Sequence, residues 1–189
     1  MLSSAVGAGG CAFELPDDSD GESSAVTGSE LTLEGFTEPS PTPAARDAVL
    51  KRFAHVDASR VVPRDLLADA LLFVQANGEQ LKKPDVVTVV DFSRHSSQER
   101  MFVVDLKTGA VRSHVVAHGS GSDPGNTGRP TRFSNVPGSN ASSLGYYVTA
   151  ETYQGKNGRS LRLDGVSKTN SNARARAVVL HGARYVREG

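Results

Sequence analysis

From Val86 onward the apolar residues stop recurring at helical spacing and come in short, β-branched blocks. This change of period constrains the fold more than any other feature of the chain. VVTVVDF (86–92) is almost wholly apolar and reads as a strand buried on both faces. RMFVVDL (100–106) follows a polar turn. Lys107-Thr108-Gly109 then turns the chain into AVRSHVVAHG (110–119), which predicts a three-stranded meander. YYVTAE (146–151), SLRLDG (160–165) and AVVLHG (177–182) complete the predicted strands, so the body from residue 84 to 189 is mainly β.

The chain before this body divides in two. Residues 43–80 carry helical signals and are expected to form a helical brace, making the whole α+β. Thr42 can cap a helix that begins at Pro43, where a missing N–H costs nothing. Ala45, Val49, Phe53 and Val56 recur near helical spacing. A second helix is expected from Pro63, with Asp65 in its first turn and Leu66, Ala70, Leu71 and Val74 as its stripe. Asn77-Gly78 reads as a left-handed stop. Residues 1–42 are too poor in apolar groups to offset ordering entropy and are expected to be a disordered head and linker, ending in the stiff spacer EPSPTP.

Charge and composition exclude several functions. Residues 1–45 hold eight acids and no Lys or Arg, leaving 21 basic and 13 acidic residues in the rest. That mildly basic body favours anionic surroundings, but its cations are scattered. With no Trp and 6% aromatics, a nucleic-acid stacking platform is not expected. The one cysteine, Cys11, rules out a disulfide within the chain and a zinc site of several thiolates. No run approaches the 18 apolar residues of a membrane span. The opening MLSSAVGAGGCA lacks a basic start; its two readings are a plain disordered terminus and the stump of a lipoprotein signal ending at Cys11.

Residues able to carry chemistry cluster in two places. His181 ends the last strand and precedes Gly182; Ala177, Val179 and His181 would share one face, placing an imidazole at the rim of a sheet. The alternative is a histidine bonded to a neighbouring carbonyl. His118-Gly119 repeats the pattern and opens a long segment, 119–145, with six glycines and three prolines. A loop this long in a compact domain is usually functional. Within it FSNVPGSNASSLG (133–145) offers hydroxyl and backbone hydrogen bonds to a peptide-like ligand. It has neither the ending of a phosphate loop nor G-x-S-x-G, so Ser142 and Ser143 are poor nucleophiles. His114 and His118 would lie about 13 Å apart along a strand, too far for a shared metal. His55 and His95 read as surface residues.

Four stretches together resemble the murein L,D-transpeptidase catalytic-domain family, a branch of the YkuD-like enzymes. They are VAHGSGS, FSN-x-PGS-x-x-SSLG, Y-x-GK-x-G-x-SL-x-LDG and A-x-VLHGA-x-YV, within a likeness running from about 84 to 187. The resemblance implies a mixed-sheet β-sandwich with helices on its N-terminal side. It implies acyl transfer on peptidoglycan stem peptides in the cell envelope or periplasm. In such enzymes a cysteine thiolate attacks a stem tetrapeptide, D-Ala leaves, and an amine resolves the thioester. His181 falls on the family's catalytic histidine. His118, Gly119, Ser134, Asn135, Ser142, Ser143, Gly145 and Gly182 fall on segments expected to bind the stem peptide. No cofactor or metal is implied.

The sequence departs from the family pattern in one respect. The family's nucleophile lies in Ser-x-Gly-Cys downstream of the histidine, and these 189 residues contain no such motif. The expectation is therefore a domain incomplete at its C-terminus and inactive for lack of the thiol. The alternative is a non-catalytic module that binds peptidoglycan peptides.

Overall fold

A segment whose side chains are apolar on both faces needs a packed layer on each side, and the first sheet meets that need. The computed structural model describes residues 11–12 and 35–186. In chain order the elements are β1 (Cys11–Ala12), α1 (Pro43–Arg52), α2 (Arg64–Asn77), β2 (Val86–Val90), β3 (Met101–Asp105), β4 (Val111–His114), β5 (Tyr147–Gly155), β6 (Gly158–Gly165) and β7 (Val179–Gly182). Two antiparallel sheets form, β2-β3-β4 and β1-β7-β6-β5. With the two helices they make an α+β sandwich, and within each sheet the pairing is antiparallel throughout rather than mixed.

Alternation along β3 assigns the layers. Phe102 and Val104 join Val87 and Val89 against Val49, Leu67 and Leu71 of the helices. Met101, on the other face, joins Val116, Tyr147, Leu163, Ala173 and Val178 between the sheets. The order is thus helices, first sheet, second sheet. The expected meander is present, and the helices share the largest core with it.

The helix starts follow the sequence reading. Thr42 Oγ1 accepts the Ala45 N–H at 3.2 Å, with Pro43 in the first turn. Asn77-Gly78 departs from it, because Gly78 is right-handed at φ −56° and ψ −36°. The Asn77 side chain instead ties down an earlier segment. It accepts from Thr37 N (2.7 Å) and donates to the Thr37 and Phe73 carbonyls (both 2.9 Å). Phe36 stacks on Phe73 at 6.1 Å, and Glu38 accepts from Ser167 Oγ at 3.0 Å. Within the described stretch 35–186 packing thus begins at Phe36, before the expected Thr42, because an aromatic ring and a paired amide hold the segment locally. Cys11–Ala12, also in the head expected to be disordered, forms a strand, and the rest of that expectation, on 1–10 and 13–34, falls outside the described residues. Cys11–Ala12 pairs with β7 in a register that puts Cys11 opposite Gly182 and Ala12 opposite His181. No helix among the described residues is long and apolar enough to cross a membrane.

Candidate active site

His181 lies on β7, between Ser160 of β6 and Ala12 of β1 in the ladder. Val178 and Leu180 point to the core between the sheets, so alternation places Val179 and His181 on the opposite face. Ala177 does not belong to that face. It has φ 53°, and the strand begins only at Val179; this left-handed residue redirects the chain into the strand. His181 is 5% exposed. Its Nδ1 lies 2.9 Å from Gly182 O. A carbonyl can only accept, so Nδ1 carries a hydrogen in this contact. In a neutral ring with that hydrogen on Nδ1, the lone pair would be on Nε2. Gly182 itself is exposed.

The loop 119–145 folds back on itself. Gly119 N donates to Ser142 Oγ (2.9 Å), Ser142 N to Ser122 Oγ (2.9 Å), Gly121 N to Asn140 O (2.8 Å) and Ser134 N to Ser142 O (3.0 Å). The contact is so close that a side chain at Gly119 or Gly121 would overlap the carbonyls of Asn140 or Ser139. At the centre of the fold-back sits Arg176, 7% exposed. Its Nη1 donates to Ser134 O (2.7 Å) and Ser143 Oγ (2.6 Å). Its Nη2 donates to Ser139 Oγ (3.0 Å) and Ala141 O (2.6 Å). All four acceptors are neutral, and burial lowers the Arg176 pKa from its ordinary value.

The serines and amides of this loop are thus spent on the loop. Ser143 Oγ donates to Ser134 O at 2.8 Å while accepting from Arg176. No imidazole among the described residues is bonded to it, which leaves the hydroxyl without an activating base. Asn135 is bonded to Ser171 and Asn172 rather than turned outward. The loop exposes the apolar Phe133, Val136 and Leu144 among polar residues that include Asn126, Arg129, Arg132 and Asn140. Ser143, Leu144 and Gly145 line a groove of about 290 Å³ whose other walls include Leu66 and Asp69 of α2 and Phe92, Tyr146 and Tyr147. Gly145, at φ 121°, lets the chain pass close to Ser167.

His118 is placed differently from His181. Arg100 Nη2 lies 2.8 Å from its Nδ1, and Asp123 Oδ2 lies 3.6 Å from its Nε2. Arginine has no acceptor, so Nδ1 takes the hydrogen bond and Nε2 carries the hydrogen towards Asp123. Burial first, then the Arg100 charge, lowers the His118 pKa from its ordinary value, against the pull of Asp123. His118 is therefore bound into a buried chain that ties β3 to the start of the loop. His55 and His95, read as surface residues, bond to Leu106 O (3.0 Å) and Thr127 O (3.1 Å).

The sign of the resulting pH dependence is fixed. Unfolded chains protonate His118 near pH 6.5, whereas the folded chain does so only at lower pH. Over that interval the unfolded state binds more protons. We expect the His118 contribution to be complete above about pH 6.5 and to be lost as pH falls through the lowered folded value. Urea titrations from pH 7.5 to 5 on wild type and His118→Asn check this. Equal slopes of stability against pH for the two proteins would refute it.

Sequence reasoning missed Arg100 and Arg176. Each abuts the start of an apolar strand, in RMFVVDL and NARARAVVL. A charge set directly against a buried run was the available signal.

A family model described as the L,D-transpeptidase catalytic domain, YkuD_2, matches residues 58–189, more than two thirds of the chain. Searches of curated proteins and of solved structures find no match.

Proposed function

We propose that this chain, which belongs to the L,D-transpeptidase catalytic-domain family, binds peptidoglycan stem peptides at the cell envelope, with His181 in the place that the general base holds in the family's cysteine acyl transfer. The observation that carries the reading is the place of His181 on β7, with Nδ1 held 2.9 Å from Gly182 O, which in a neutral ring makes Nε2 the basic nitrogen. In that chemistry Nε2 takes the proton of a thiol. The thiolate then attacks the carbonyl carbon of the third stem residue, and the bond to D-Ala breaks as its amine takes the proton from the imidazolium. An amine from a second stem attacks the thioester, the C–S bond breaks, and the thiol is restored.

The thiol is the part that these residues do not carry in the family's motif. Cys11 is their one cysteine, and Ser-x-Gly-Cys does not occur. The reading for the 189-residue polypeptide by itself is peptide binding without turnover. The full chain incubated with a disaccharide-tetrapeptide and an acceptor stem is expected to release no D-Ala. Intact mass is expected to show no acyl adduct, with the muropeptide or with a carbapenem. Release of D-Ala above a no-protein blank would sink the reading of inactivity. Failure to bind the muropeptide at millimolar concentration would sink the peptide-binding reading.

A further inference from the structure

We propose that Arg176 is the positioning residue of this site: it presets residues 134–143 in the shape on which a peptide lies, through the planar geometry of its guanidinium rather than through its charge. The inference rests on the peptide-binding reading above. Its first support is convergence. One side chain donates to four residues spread over ten positions of the loop, Ser134, Ser139, Ala141 and Ser143. Only a fork of donors in one plane can meet that many acceptors at once, and a lysine ammonium cannot.

The second support is what Arg176 lacks. No carboxylate bonds to it among the described residues, although Arg174, two positions earlier, is bonded to Asp164 and to Glu151. Arg176 Nε is buried with no hydrogen-bond partner. Burying a cation on neutral oxygens, with one donor unused, is a poor way to gain stability. What such a group supplies instead is a unique shape, as buried polar groups do in some systems. The third support is placement. Arg176 stands five residues before His181 on the same segment, with Ala177 turned left-handed between them, so one segment sets both the loop and the imidazole. Ser143, which Arg176 holds, also lines the groove beside the loop.

The test uses the full chain as wild type, Arg176→Lys and Val49→Ala. Val49 is buried in the core of the helices and first sheet, a cluster that holds no residue of 119–145, and serves as a control for lost stability alone. Three quantities are measured well below the melting transitions: thermal midpoint, amide exchange over 134–143 and over β2–β3, and affinity for a disaccharide-tetrapeptide by calorimetry. Arg176→Lys is expected to speed exchange in 134–143 at least tenfold, leave β2–β3 unchanged and weaken peptide affinity at least tenfold. Val49→Ala is expected to lower the midpoint and leave affinity within twofold. Arg176→Lys binding within twofold of wild type overturns the proposal. So does an affinity loss in Val49→Ala equal to that in Arg176→Lys, because stability alone would then explain it. Should wild type fail to bind while Arg176→Lys still loosens the loop, the peptide-binding reading fails and the hold of Arg176 on the loop stands.

Discussion

Arg100→Ala is expected to lower stability by about 3–5 kcal/mol, a drop in melting temperature on the order of 10 °C for a domain of this size. Arg100 is fully buried. Its Nε donates to Val116 O (2.9 Å), Nη1 to Arg94 O (2.9 Å) and Nη2 to His118 Nδ1 (2.8 Å), and its guanidinium lies 5.3 Å from the Phe92 ring centre. Burial lowers its pKa to about 10 against the pull of Asp91, which leaves it charged at neutral pH. Truncation would orphan two carbonyls and an imidazole nitrogen and leave a cavity beside Phe92. Arg100→Met separates the two contributions, since it fills much of the volume but satisfies no acceptor. Urea unfolding of both variants checks this, and a loss under about 1 kcal/mol in Arg100→Ala would show that the site collapses or takes up water freely. The same substitution removes the cation that opposes protonation of His118, so the acid sensitivity described above is expected to shrink with it.

Leu163→Ala is the second large effect, at about 3 kcal/mol. Leu163 is fully buried and packs with Met101, Val116, Tyr147, Ala173 and Val178 between the sheets. The consequence reaches the candidate site through Tyr147. The Tyr147 hydroxyl donates to Ser143 O at 2.9 Å, and burial pushes its pKa up to about 12, so it stays a donor across the accessible pH range. A cavity under its ring would loosen the end of the serine-rich loop. Denaturant unfolding gives the stability loss, and amide exchange at 143–147 is expected to rise with it. Leu163→Met, which nearly conserves volume, is expected to cost less than about 1.5 kcal/mol. A Leu163→Ala protein as stable as Leu163→Met would contradict the packing account.

Much of the architecture is legible in the sequence because its causes are local. Hydrophobic period separates α1 and α2 from the strands, Thr42 and Pro43 mark a helix start, and Lys107-Thr108-Gly109 closes the meander. His181 before Gly182 is legible as a strand-end imidazole for the same reason. The left-handed stop expected at Gly78 does not form, and Asn77 answers instead to Thr37, 40 residues away in sequence. The loop residues Ser134, Asn135, Ser142 and Ser143 are legible as hydrogen-bonding groups, but not the direction in which they bond.

Hydrophobic period and turn residues were enough to place α1, α2 and β2 to β7 but not β1, and the motif resemblance anticipated the family that the match over 58–189 shows. Packing was needed for the rest: the loop's serines bond inward, Arg176 holds them, and His118 is tied to Arg100 while His181 Nδ1 meets Gly182 O. The hold of Arg176 on the loop and of Arg100 on His118 depends on donors and acceptors that meet across 42 and 18 residues of chain. A hydrogen bond is directional and short, so a string of residue types cannot say where it will be spent until the folded chain has fixed every partner.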